Sequence, residues 1–210
     1  MMKLHRPVPP DWLSKYWEKW GQDYHQKKSA NPSHTFRWRS YQKRAINHHL
    51  TPILRAMTKD HCSFCDLLPV VPYTIEHFRP KSSFPLFAYH WENLFICCGF
   101  CQQAKLEFFA EALLKPDELE YEYNRYFLCD PVTGVLEPNP KANENDQERA
   151  IVTIDLYKLN DYGRPTHRKR EIKKYALKER ETNSENNEPS LSTDLTALTV
   201  DDFSFRFLFI

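Results

Sequence analysis

The chain has 210 residues, 41% of them hydrophobic, and a formal charge of +1. That length suits one domain with elaborations, or two small ones, around a real core; the near-neutral charge argues neither for nor against nucleic acid. No apolar run approaches the ~20 residues needed to cross a bilayer, no apolar signal segment follows the start, and four glycines without a Gly-x-x-x-x-Gly-Lys loop exclude a P-loop ATPase. A cytoplasmic protein without membrane contact is expected.

Charge is unevenly spread. Residues 1–60 carry twelve Lys and Arg against four Asp and Glu, residues 106–163 five against thirteen, and residues 164–180 eight against two. Two basic segments around an acidic one suit a protein that meets phosphate on one surface and something else on another, although solvated helix faces give the same pattern.

Along the chain, residues 11–28 read as a helix capped by Asp11, with Trp12, Tyr16, Trp20 and Tyr24 recurring every four residues. A second helical stretch is expected from Thr35, carrying Phe36, Tyr41, Ile46 and Leu50 and breaking or kinking at Pro52. Arg37, Trp38, Arg39, Tyr41, Lys43 and Arg44 interleave there, a composition that serves either core packing or stacking on bases. A β-hairpin is expected from Val70 to about Phe78, followed by a Pro- and aromatic-rich loop from Pro80 to Trp91. A helix from Gln102 to Leu114 should stop at Pro116, and two more should lie near residues 147–159 and 165–181. Glu181 to Thr193 is polar and expected to be mobile. The last residues, Phe203 to Ile210, alternate like a strand, and their four phenylalanines should be buried on this chain or on a partner, with Phe205 and Phe207 as anchors. These readings divide the chain into a basic, aromatic-rich helical arm (1–60), a cysteine-bearing core (61–116), a helical elaboration (117–182) and a linker with an apolar tail (183–210).

Four of the six cysteines form two close pairs, Cys62-Ser-Phe-Cys65 and Cys98-Gly-Phe-Cys101. Each knuckle turns two sulfurs to one side, so together they complete a tetrahedral Zn²⁺ shell with Zn–S distances of about 2.3 Å. Such a shell is closed, and its zinc is structural. Cys97 and Cys129 are left over; Cys97 can replace Cys98 only by a register shift that loosens the knuckle. Between the pairs stand Glu76, His77 and Asn93, the residues best placed to surround a second, catalytic ion.

Ile75-Glu76-His77-Phe78-Arg79-Pro80-Lys81, Trp91-Glu92-Asn93-Leu94 and Cys98-x-x-Cys101 leading to Lys105 resemble the core of the HNH endonucleases. Lys3-Leu4-His5-Arg6-Pro7 and Thr153-Ile154-Asp155-Leu156-Tyr157-Lys158-Leu159-Asn160 extend a weaker similarity to the HNH subunits of Septu-type antiphage systems, also found beside some retrons. The resemblance implies an α+β fold in which a ββα-metal zinc finger is embedded in a mainly helical domain. It implies DNA cleavage, with RNA as a possible substrate, and a partner ATPase. His77 would be the general base, Glu76 a ligand of catalytic Mg²⁺ or Mn²⁺, and Asn93 the amide that holds the loop and orients the base. Glu76 and His77, as strand neighbours, point to opposite faces unless the backbone twists. The family's third residue is usually His or Asn; here Gln102 stands in its place, a weaker cation ligand, with Gln103 or His90 as substitutes. Arg79, Lys81 and Lys105 are candidate phosphate contacts, Lys105 by its match to the family's lysine. A catalytically weak, zinc-stabilised nucleic-acid-binding or adaptor subunit is the alternative.

Overall fold

The computed structural model describes residues 1–69, 72–183 and 195–210. Among them, six helices accompany three short antiparallel two-stranded sheets, an α+β arrangement. None of these helices is long and apolar enough to cross a membrane.

Helix α1 runs Asp11–Ala30. Asp11 does not cap it: the cap position is Pro10, and Asp11 lies in the first turn, where its charge meets the positive end of the helix dipole. Leu13, Gly21 and Tyr24 form its buried face. Gly21 is required there, since a Cβ would collide with the Leu86 carbonyl and push away the loop that leads to Ala88.

The expected helix from Thr35 is absent as far as Ala45. Strands β1 (Ser40–Tyr41) and β2 (Arg44–Ala45) make a small hairpin instead, turned by Gln42 and Lys43, both at positive φ. Helix α2 begins only at Ile46 and continues to Thr58 through Pro52 without ending there. Ile46, Leu50, Leu54 and Thr58, spaced by four, are its buried stripe.

Strand β3 (Tyr73–His77) pairs with β4 (Leu94–Cys98), with Tyr73 opposite Cys98 and His77 opposite Leu94. The hairpin expected from Val70 to Phe78 is therefore one strand whose partner lies beyond the aromatic loop; Val70 and Val71 fall outside the described residues. The reason is β4, buried at all five positions. Its Leu94 and Ile96 join Leu13, Ile46, Leu50 and Leu54 in one core, while Phe95 and Cys97 join Phe64, Tyr121 and Tyr157 in another. A strand apolar on both faces is stable only as a wall between two packed layers.

Helix α3 (Gly99–Lys105) is shorter than expected, because Leu106 at φ 48° takes the chain out of the helical region. After α4 (Tyr123–Tyr126), an unexpected pair of three-residue strands, β5 (Phe127–Cys129) and β6 (Leu136–Pro138), precedes α5 (Glu144–Leu156) and α6 (Arg164–Asn183). Asn143 caps α5 by accepting from the Asp146 N–H at 2.8 Å. The basic helix α6 is not all solvated: Arg164 and Arg168 are buried, Arg168 donating to the carbonyls of Gly134 and Leu159.

The tail packs on the chain's own core and is not a strand. Phe203, Phe205 and Phe207 are buried, and Phe205 at φ 59° starts a 3₁₀ turn. Arg206 explains the conformation: its N–H and guanidinium bond the Asp66 carboxylate at 2.6 and 2.7 Å, and it also donates to the Thr58 carbonyl at 3.1 Å. Most of the polar stretch before the tail, residues 184–193, lies outside the described residues.

Candidate functional site

The four sulfurs of Cys62, Cys65, Cys98 and Cys101 lie within 4.8 Å of one another, all buried. Cys65 and Cys98 Sγ are 3.7 Å apart, close to the edge of a sulfur tetrahedron built on Zn–S distances of about 2.3 Å. The donor set therefore fits a structural metal such as zinc. Local structure prepares it: the Cys98 sulfur accepts from the Cys101 N–H at the start of α3, and the Cys62 sulfur from the Cys98 N–H. Arg164 Nη2 donates to Cys101 Sγ at 3.1 Å. Burial opposes the Arg164 charge, but the Cys101 thiolate and its fellows outweigh it and keep the guanidinium protonated. A cation against one thiolate offsets part of the negative charge of a four-sulfur shell. Cys97 is outside the cluster: it donates to the Cys98 carbonyl, and burial pushes its thiol well above the usual range. Cys129 is a half-buried free thiol.

At the other end of the β3–β4 ladder a cleft of about 370 Å³ is lined by Glu76, His77, Lys81, Gln102, Gln103 and Glu107 among others. His77 is 5% exposed. Its Nε2–H donates to the Ala88 carbonyl at 2.9 Å, which leaves Nδ1 as the unprotonated acceptor. The ring stacks on Trp38 at 5.5 Å and meets the edge of Phe36 at 5.2 Å. Burial, then the nearby Lys81 ammonium, pull its pKa down to about 3, so the imidazole is neutral.

Asn93 supplies the brace. Its Oδ1 accepts from the Arg79 N–H at 2.7 Å, and its Nδ2 donates to the carbonyls of Arg79 and Phe87, both at 3.0 Å. One amide thus holds both ends of the loop that carries Ala88, whose carbonyl holds His77.

A scan against protein-family models finds no match, and neither does a search of curated proteins.

Glu76 and His77 leave β3 in opposite directions, His77 into the aromatic arm and Glu76 towards α3, yet both reach the cleft. Glu76 Oε1 accepts from Lys105 Nζ at 2.8 Å, and Lys105 also donates to the His77 carbonyl at 3.1 Å. Burial raises the Glu76 pKa, with Lys105 opposing. Lys105 is fully buried, so its ammonium orders Glu76 rather than meeting a phosphate at the surface. Arg79 also leaves the set: it lines a different hollow, caged by Phe84, Phe87 and Phe109 and paired with Glu111 at 3.3 Å. His90 lies in that same hollow. Lys81 stays at the cleft, 3.8 Å from Glu107. Gln102 lines it too, donating Nε2 to Thr74 Oγ1 at 3.0 Å, with its carbonyl oxygen unpartnered among the described residues.

One carboxylate oxygen and one amide oxygen are too few to cage Mg²⁺ or Mn²⁺. They fit an ion that draws most of its shell from water and substrate phosphate, as Mg²⁺ usually does. Sequence reasoning missed Phe36, Trp38 and the Ala88 carbonyl as the surroundings of His77. The only signal was the aromatic–basic interleaving of residues 36–44, which admits both packing and binding.

Proposed function

We propose that the chain is a metal-dependent endonuclease of the HNH type, in which β3, β4 and α3 are the ββα-metal finger and Cys62, Cys65, Cys98 and Cys101 hold a structural Zn²⁺. The observation that carries this reading is His77: neutral, fixed in one tautomer by Ala88, and with Nδ1 free beside a cleft that holds Glu76, Gln102 and Lys81. Hydrolysis of a phosphodiester needs a base for the attacking water. Nδ1 takes the proton, the water oxygen forms the new bond to phosphorus, and the ester oxygen departs and is protonated by solvent. Lys81 contacts the phosphate at the cleft rim. Glu76 and Gln102 would hold Mg²⁺ or Mn²⁺, which when bound stabilises the charge growing on the phosphoryl and leaving oxygens. Negative charge arriving in the cleft also raises the basicity of His77, since a nearby anion favours imidazolium.

The DNA substrate, the antiphage setting and the partner ATPase rest on the resemblance of the motifs. A second reading, a zinc-stabilised nucleic-acid-binding or adaptor subunit with weak activity, is favoured by one observation: the Glu76 carboxylate is already engaged by Lys105. Cleavage of DNA and RNA by the purified chain, with Mg²⁺ or Mn²⁺ and with or without the partner ATPase, separates the two. His77→Ala should keep its zinc and lose about 10²- to 10⁴-fold in rate. A folded His77→Ala that cuts like the wild type removes the base assignment, and a wild type inert in every condition leaves the adaptor reading. Glu76→Gln is the better partner variant than Glu76→Ala, which strands the Lys105 ammonium in the interior.

A further inference from the structure

A second hollow lies outside the cleft. It is a groove of about 680 Å³ between α2 and the start of β3, walled by Trp38, Asn47, His48, Arg55, Tyr73 and Thr74. It neighbours the cleft. Ile75 lines both, Thr74 is bonded to Gln102 of the cleft, and the Trp38 ring that borders the groove stacks on His77.

We propose that this groove binds single-stranded nucleic acid, with an unpaired base on the Tyr73 ring and the adjoining phosphate led past Trp38 into the cleft. The path and its direction rest on the nuclease reading; the binding site itself does not. Four features specify the ligand. Tyr73 is a large aromatic ring left 42% exposed at a strand end, and aromatic faces of this kind take nucleobases regardless of sequence. The Arg55 guanidinium lies 4.9 Å from the centre of that ring, and its ion pair with Asp60 is solvent-exposed on both sides, a weak bond that a phosphate can displace. Asn47 lines the groove wall, and its Oδ1 is a buried acceptor without a donor among the described residues, the kind of group that a base-edge N–H satisfies. The arm that contributes Trp38, His48 and Arg55 carries the excess of twelve cations over four anions in residues 1–60. A base can lie on Tyr73 only if one of its faces is free, which excludes a stacked duplex.

The test uses the full chain loaded with zinc, without added Mg²⁺ or Mn²⁺, and three labelled probes: a short oligothymidylate, an abasic phosphodiester of the same length, and a duplex. Stacking of a single base predicts that the oligothymidylate binds roughly five- to hundred-fold more tightly than the abasic strand. Tyr73→Ala should erase that difference while leaving abasic and duplex binding unchanged, and Tyr73→Phe should preserve it. Tyr73 faces Cys98 across the ladder, so zinc content is measured on each variant. If Tyr73→Ala loses zinc, the comparison of the two strands on the wild-type chain decides. Equal affinity for oligothymidylate and abasic strand, or binding of neither, overturns the proposal. Base-dependent binding by a chain that never cleaves would retain the groove and discard the nuclease. Cleavage with base-independent binding would do the reverse.

Discussion

The two ends of the β3–β4 ladder, about 14 Å apart, treat their polar atoms in opposite ways. At the Cys98 end the sulfurs are enclosed by one another, by backbone N–H groups and by Arg164, and the segment after Cys65 is clamped by Arg206 of the tail. At the Leu94 end, His77 lines the cleft and its Nδ1 has no donor among the described residues, while the loop that carries its partner Ala88 is held by Asn93. Saturation at one end makes a rigid base for the ladder. The proposed chemistry at the other end would depend on that base and on the Asn93 brace to keep His77 in place. The buried sulfur cluster and the proposed reactive cleft thus share a single pair of strands.

The largest effect that tests this division is loss of the metal. A structural zinc contributes about 10–16 kcal/mol of apparent binding energy, against a net stability of about 5–15 kcal/mol for a typical domain. Cys62→Ser with Cys101→Ser, or prolonged chelation, should therefore unfold the chain. Elemental analysis should find one zinc per wild-type chain, and circular dichroism should show the collapse; a zinc-free chain with native spectra would break the comparison at its root.

Next in size is the tail clamp. Arg206 and Asp66 have side chains only 4% and 1% exposed, and truncating one partner of such a pair leaves a buried charge, at about 3–5 kcal/mol. Arg206→Ala should lower the urea midpoint accordingly without changing the proposed nucleic-acid cleavage per folded molecule. A shift within about 0.5 kcal/mol, the range of ordinary surface changes, would mean that the tail rests on the knuckle without holding it.

The smallest effect, read between neutral and mildly acid pH, belongs to the cleft. Because the folded pKa of His77, about 3, lies below the unfolded value near 6.5, the neutral ring's contribution is complete above about pH 6.5. It is lost as pH falls towards 3, at up to about 1.4 kcal/mol per pH unit. Urea unfolding between neutral and mildly acid pH, without added divalent ion, should show this slope, and His77→Gln should lack it. Equal slopes in the two proteins would mean that His77 is open to water, and the enclosed neutral base would be lost with it.

How much of this was legible differs residue by residue. The thiolate set followed from spacing, because a Cys-x-x-Cys knuckle is a property of one turn of backbone. Helix α1 was legible within two residues, since its aromatic period is sustained from Trp12 to Tyr24, over more than three turns. The stretch from Thr35 misled because a type of turn that needs positive φ at Gln42 and Lys43 has no glycine to announce it. The strand pair β5–β6 escaped because three residues carry too little alternation to register. Lys105 looked like a surface cation by composition; only the approach of α3 to β3 makes it the buried counter-ion of Glu76.

The sequence by itself determined where the four sulfurs, the Glu76-His77 pair and Asn93 stand relative to their nearest neighbours, because backbone geometry over a few residues depends on those residues alone. Tertiary structure decided the rest. The neutrality of His77 comes from burial, with Phe36 and Trp38 packed on its ring, and from the Lys81 ammonium, while the Ala88 carbonyl fixes the tautomer; these segments are brought together only when both faces of β4 are packed. Arg206 became a clamp and not a surface charge because burying the three phenylalanines beside it left Asp66 as its partner. Contacts between distant segments are set by which apolar faces can be covered at the same time, and that competition is settled by the whole chain at once.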